Sequence, residues 1–289
     1  MRKFALLAAV TVAGALGATS VAHAANQYTS TSRILPANSG TFAVPTPVSA
    51  GLTAAITEPS GERPQAIKTY SIGLGAGVVP NTRRFPGCSF NQANTNPLPA
   101  QCIRAKVGSG QVQALAGAPN NRQQKIPCYL DVTLINSTVA NHIYIRIDSR
   151  DAAGTPGDRQ CGNVGGQTGA IQQHGAIDAV YAATTTAFAR GVTPRRLLRG
   201  YSIRFTVPDF LLKPLGSLET AVVNIVANIQ RKSVATTVRR NGRNVIVRRG
   251  YLESVGCPTV PRGFRLNTVI FTDLSGTTKQ STSRSACQV

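Results

Sequence analysis

The sequence predicts an all-β protein, an antiparallel β-sandwich of immunoglobulin-like or jelly-roll-like type, stapled by disulfides and with little helix. Three observations carry that expectation. Apolar residues alternate with polar ones in several short segments, the period of a strand with one buried face. Turn residues punctuate those segments at short intervals, as in sandwiches. Six cysteines, an even number, stand at positions 88, 102, 128, 161, 257 and 287.

From the N-terminus, Arg2 and Lys3 precede an apolar stretch of residues 4–17, and Ala22-His23-Ala24 follows with small residues at the two positions a signal peptidase reads. This is the pattern of a secretory signal peptide over residues 1–24. The apolar run is shorter than the roughly 20 residues needed to span a bilayer, and the later stretch 211–229 is broken by Lys213, Pro214, Gly216 and Glu219. The expectation is therefore a secreted or extracytoplasmic protein without a membrane span, able to associate loosely with the cell envelope. Residues 25–289 read as a single domain, with 25–47 forming an extended arm or a first edge strand.

Residues 128–135 (Cys-Tyr-Leu-Asp-Val-Thr-Leu-Ile) are rich in strand formers. In 142–148, Ile143, Ile145 and Ile147 alternate with His142, Tyr144, Arg146 and Asp148, which predicts a strand with one wet face. Asn136-Ser137-Thr138 between them matches a glycosylation sequon and also the chemistry of a turn. Residues 201–207 alternate up to Pro208. From 219 to 229 the odd positions Ala221, Val223, Ile225, Ala227 and Ile229 are apolar, which favours period two over a helix. Asn241-Gly242 is the clearest local signal. These residues accept the positive φ of a type I′ turn, and the flanking valines then form a hairpin with Val238 opposite Val245 and Arg240 opposite Arg243. Residues 80–101 and 151–169 carry Pro and Gly and read as loops.

Closing short loops costs the unfolded chain least, so sequential pairing is expected: Cys88–Cys102, Cys128–Cys161 and Cys257–Cys287. C-x₂-C spacing and neighbouring histidines are absent, so no metal site is expected of them.

Several segments look familiar together: Gly61-Glu62-Arg63-Pro64, Asn81-Thr82-Arg83-Arg84-Phe85-Pro86-x-Cys88, Cys102-x-x-Ala105-Lys106-Val107-Gly108-Ser109-Gly110, and Gly250-Tyr251-Leu252-Glu253-Ser254-x-Gly256-Cys257-Pro258. Over residues 53–287 the chain resembles a group of uncharacterised secreted bacterial proteins with paired cysteines and predicted β structure. The resemblance implies one continuous unit with its cysteines paired inside it. It implies no activity.

Motifs for catalysis or cofactors fail on inspection, and no cofactor is expected. Gly73-Leu74-Gly75-Ala76-Gly77-Val78 has Val where a dinucleotide loop needs its third glycine, and Pro80 stops any following helix. Lys106-Val107-Gly108-Ser109-Gly110 lacks the first glycine of a nucleophile elbow and reads as a turn. Asp148, Asp151 and Asp158 could line a calcium loop, but Arg150 and Arg159 share it. His174 and Asp178 stand four apart in surroundings that do not look helical.

Charge is the strongest functional signal. The chain carries 31 cations against 11 acids, a formal charge of +20. Seven of the cations, Arg231, Lys232, Arg239, Arg240, Arg243, Arg248 and Arg249, fall in the hairpin segment 231–249 without an acid among them. Guanidinium groups hold phosphate or carboxylate bidentately. Arg83, Arg84, Arg195, Arg196 and Arg199 add further charge. The expectation is a non-enzymatic exported protein that associates through this hairpin with an anionic envelope polymer or anionic lipid. Few aromatics accompany the cations, so nucleic acid is a weaker fit. The alternatives are an extracellular hydrolase acting on polysaccharide and a purely structural or adhesive module. The hairpin cations also have a plain reading as a solvated edge that discourages aggregation.

Overall fold

The computed structural model describes residues 26–150, 174–190, 197–214, 217–240 and 242–289. The signal-peptide segment, the candidate calcium ligands Asp151 and Asp158, and Cys161 lie outside the described residues. So do Arg195, Arg196 and Asn241.

The strands, in chain order, are β1 (Gln27–Leu35), β2 (Thr46–Thr57), β3 (Ile67–Ala76), β4 (Val78–Pro80), β5 (Lys106–Gly117), β6 (Ile126–Asn136), β7 (His142–Arg150), β8 (His174–Phe188), β9 (Leu197–Thr206), β10 (Glu219–Ile229), β11 (Ser233–Arg240), β12 (Arg243–Gly250), β13 (Leu252–Ser254), β14 (Phe264–Asp273) and β15 (Thr278–Ala286). Three short helices accompany them: α1 (Phe90–Ala93), α2 (Ala100–Arg104) and α3 (Asp209–Leu212). None of the described helices is long and apolar enough to cross a membrane.

Among the described residues, thirteen strands form one sheet, and β11 and β12 form a second by themselves. The main path runs β15-β14-β3-β9-β8-β7-β6-β5-β10-β2, with every pairing antiparallel; β2 then pairs with β1 along Ser49–Leu35 to Thr57–Gln27 and with β13 at its start. The fold is therefore the mostly antiparallel, sandwich-like β structure that the alternation predicts. The sheet curls until its ends meet. No strand pairing joins β1 to β15, but Ser32 N–H donates to Ser283 Oγ at 3.0 Å, and Ser39 N–H donates to the Gln288 carbonyl at 2.8 Å. Side chains and loop backbone stitch this seam where a ladder would otherwise run.

Inward-facing residues make the core: Ile143, Ile145 and Ile147 of β7, and Leu130, Val132 and Leu134 of β6, are all buried. Burial of such side chains is worth about 1.5–3 kcal/mol each. Within the stretch 26–47, β1 pairs antiparallel with β2. The segment 106–110 is the start of β5, not a turn. A Cβ at Gly108 or Gly110 would lie 2.2 or 2.4 Å from the carbonyl oxygens of Asn228 and Val226, so these glycines permit close approach of β10.

The expected wet face of β7 is covered. The stretch 80–101, read from sequence as loop, carries α1 and the start of α2 across it. Ser89 and Gln92 form a capping box on α1, and Cys88–Cys102 ties the segment together. Tyr144 and Arg146 are consequently buried. The Arg146 guanidinium grips Asp148 with Nε at 2.8 Å and Nη2 at 2.9 Å, and its Nη1 donates to the Ala93 carbonyl at 3.0 Å. Asn136, the sequon asparagine, is fully buried and donates to the carbonyls of Thr82, Phe85 and Pro86. It is a clamp for this segment and not a free loop tip.

Candidate functional site

The hairpin β11–β12 has the register expected from Asn241-Gly242: Val238 faces Val245 and Arg240 faces Arg243, with Gly242 at φ +75°. Its substantial contact with the main sheet is to β2, at its base. One face of the ribbon presents Ala235, Thr237 and Arg239 on β11 against Arg248, Ile246 and Asn244 on β12, and all six are exposed. Ile246 is 74% exposed. The opposite face carries Val234, Thr236, Val238 and Val247, which are half-buried.

Six of the seven cations divide into two groups; the side chain of Arg240 lies outside the described residues. Arg249 turns inward. Its Nε and Nη2 both lie 2.8 Å from the carboxylate of Glu253, which is only 2% exposed and also accepts the Gly250 N–H at 2.9 Å. Lys232 donates to the Lys106 carbonyl, and burial, followed by the nearby Lys106, pulls its ammonium below the ordinary lysine range. These two fasten the hairpin's base. Arg231, Arg239, Arg243 and Arg248 are exposed and form no ion pair among the described residues. The result is a projecting ribbon whose outer face combines guanidinium groups with an exposed branched apolar side chain.

A second feature is an open groove of about 790 Å³ over the outer faces of β14, β3, β9 and β8, bordered by Phe90 and Pro208. Asp178, Val180, Arg204 and Ile270 line it. At its edge His142 Nδ1 stands 2.8 Å from Asp178 Oδ1. In sequence His174 stands four residues from Asp178; in the fold, antiparallel pairing of β7 with β8 brings His142 to it instead. No hydroxyl hydrogen-bonds His142 among the described residues, so the nucleophile of a Ser-His-Asp arrangement is not in place. The groove lining contains one carboxylate, Asp178, where a glycosidase uses two. No group of three or more His, Cys, Asp or Glu side chains converges as a metal site among the described residues.

Two of the expected disulfides are present, Cys88–Cys102 and Cys257–Cys287, and Cys128 is also disulfide-bonded. Arg265 was not singled out by the sequence. It is fully buried on β14 and donates to the carbonyls of Ala76 and Gly256, each at 3.2 Å, and to Ser254 Oγ. Burial pushes its guanidinium down to about 10. Its partners are carbonyl and hydroxyl oxygens at the end of β3, at the end of β13 and just after it, which marks it as an internal tie. Comparisons with protein-family models, with curated proteins and with solved structures found no match.

Proposed function

We propose that this is an exported, non-enzymatic protein that adsorbs to a phosphate-bearing anionic surface of the cell envelope through the β11–β12 hairpin. The observation that carries the reading is the exposed ribbon face on which Arg239 and Arg248 flank Ile246. Guanidinium groups supply the attraction and bidentate geometry for phosphate. An exposed isoleucine beside them suits the boundary between lipid headgroups and acyl chains. A solvated edge accounts for the charge but not for the exposed isoleucine, since an exposed apolar residue on an edge strand favours aggregation rather than preventing it.

Export is supported by the secretory pattern at residues 1–24 and by the disulfides, which persist in oxidising compartments. Removal of Arg2 and Lys3 leaves 29 cations against 11 acids, a charge of +18. N-terminal sequencing of the protein recovered from the medium or envelope wash is expected to begin at Ala25. Recovery only as a membrane-retained chain with Met1 intact would contradict export.

Binding to vesicles containing phosphatidylglycerol is the direct test, with phosphatidylcholine vesicles as the neutral arm and inorganic polyphosphate as the soluble phosphate arm. A cation near an anionic bilayer contributes about 1 kcal/mol. Changing Arg239, Arg243 and Arg248 to Gln is therefore expected to weaken vesicle binding roughly a hundredfold at low salt. A variant with Arg33, Arg262 and Arg284 changed to Gln has the same net charge and tests for a general charge effect. Equal losses in the two variants would refute a hairpin site. Raising salt should weaken wild-type binding, as the Debye length falls from about 10 Å at 0.1 M to about 3 Å at 1 M.

A further inference from the structure

The interior of the curled sheet is not filled. A cavity of about 140 Å³ lies between its inner faces. It is lined by aliphatic side chains from many strands, including the four successive inward positions Cys128, Leu130, Val132 and Leu134 of β6. At about 3.4 Å per residue those positions span roughly 20 Å. A volume this small along such a length is a narrow slot and not a round chamber. Apolar cavities of about 150 Å³ stay dry and admit a six-carbon guest such as benzene.

Four polar side chains, Ser32, Tyr70, Thr220 and Asn228, interrupt the apolar wall, and two of them carry an unpaired hydroxyl. Ser32 and Tyr70 both line the slot, and the Ser32 Oγ and Tyr70 hydroxyl are buried without a hydrogen-bond partner. Tyr70 is 4% exposed, with its ring stacked on Phe205 at 5.1 Å and edge-on to Phe271 at 5.7 Å, so it cannot swing out to water easily. A buried hydroxyl left unpaired costs about 1–3 kcal/mol. Burial drives the Tyr70 phenol above its ordinary pKa, so it remains a hydrogen-bond donor. The lining contains no Lys, Arg, His, Asp or Glu. A charged headgroup would therefore be desolvated without a counter-charge, which is strongly unfavourable.

We propose that this slot binds a slender neutral amphiphile, a single unbranched alkyl chain ending in a hydroxyl, with the chain along β6 and the hydroxyl meeting Tyr70 and Ser32. Ser32 also stands on the β1–β15 seam, where opening the sheet breaks hydrogen bonds to side chains and a few loop backbone bonds but no strand ladder. That seam is the route in. The inference is independent of the hairpin reading, because none of the hairpin's cations touches the slot.

The test uses the full secreted chain with octan-1-ol, n-octane and sodium octanoate as probes, followed by isothermal titration and by thermal shift. Saturable binding of octan-1-ol with an upward shift in Tm is expected, with octanoate at neutral pH at least tenfold weaker. The double variant Tyr70→Phe with Ser32→Ala should bind octan-1-ol about tenfold more weakly than wild type and n-octane equally well, reflecting one lost buried hydrogen bond. Ala50→Leu, which fills the slot, should abolish binding of both. Ala114→Val is the milder filling change should the first fail to fold. Absence of saturable octan-1-ol binding to wild type would overturn the proposal. So would unchanged octan-1-ol affinity in the double variant, or octan-1-ol binding that survives a folded filling variant.

Discussion

Reduction of all disulfides is expected to unfold the protein or bring it to the edge of unfolding under conditions where the oxidised form is fully native. In the chain-entropy model, a loop the size of Cys88–Cys102, with a separation of 14 residues, contributes about 3 kcal/mol. The Cys257–Cys287 loop, with a separation of 30, contributes closer to 4 kcal/mol on the same basis, about 7 together. Typical domains have only about 5–15 kcal/mol of net stability to lose. The bonds also sit where the β framework supplies least cohesion. The first ties the segment that covers β7, and the second ties the β13–β14 connection to the end of β15. Urea unfolding before and after reduction measures the effect. Thiol counting on denatured, unreduced protein should find none of the six cysteines free. An unchanged urea midpoint after reduction, or four or more free thiols beforehand, would contradict this account.

The second large effect is expected from Arg249→Ala, at a cost of about 3–5 kcal/mol, the range for leaving one partner of a buried ion pair unmatched. The two partners are not equivalent. Glu253 is almost completely buried between β2 and β4, while Arg249 is about a quarter exposed in its side chain. Removing Arg249 strands a carboxylate away from water. Replacing Glu253 by Gln leaves an acceptor for Gly250 N–H and lets Arg249 turn to solvent, so a loss of only about 1–2 kcal/mol is expected. Chemical denaturation of the two variants measures the difference. Amide exchange localises it, with protection falling first in β11 and β12 if the pair anchors the hairpin. A loss below about 1 kcal/mol for Arg249→Ala would place the pair among weak surface bridges.

This pair also separates the hairpin's cations by role. Sequence density treats all seven alike, because charge counting carries no information on direction. Only the antiparallel arrangement of β13 against β2 shows that Arg249 reaches inward while Arg239 and Arg248 face out. The same limit applies to Asp178. Its nearest histidine in sequence is His174, and its nearest in space is His142, a residue 36 positions away on the neighbouring strand.

What the sequence determines by itself is local. Alternation of apolar and polar residues assigns β7, β9 and β10 to strands and chooses the inward faces of β7, β9 and the second half of β10, because side chains project to opposite sides with period two; a bulge at Val223 shifts the parity of β10, so that Val222 and not Val223 faces the interior. Asn241-Gly242 sets the hairpin register, because few other residues accept the backbone angles of its turn. Short separations between cysteines favour the two pairings seen at 88–102 and 257–287. What the tertiary structure decides is every relation between distant segments. The insertion of β3 between β9 and β14, the burial of the second face of β7 under α1 and α2, and the glycine contacts between β5 and β10 depend on long-range pairing, to which a period of two is blind. The interior slot belongs to the same class. Each of its walls reads in sequence as an ordinary apolar strand, and the unfilled space arises only from how far apart the curled sheet holds them.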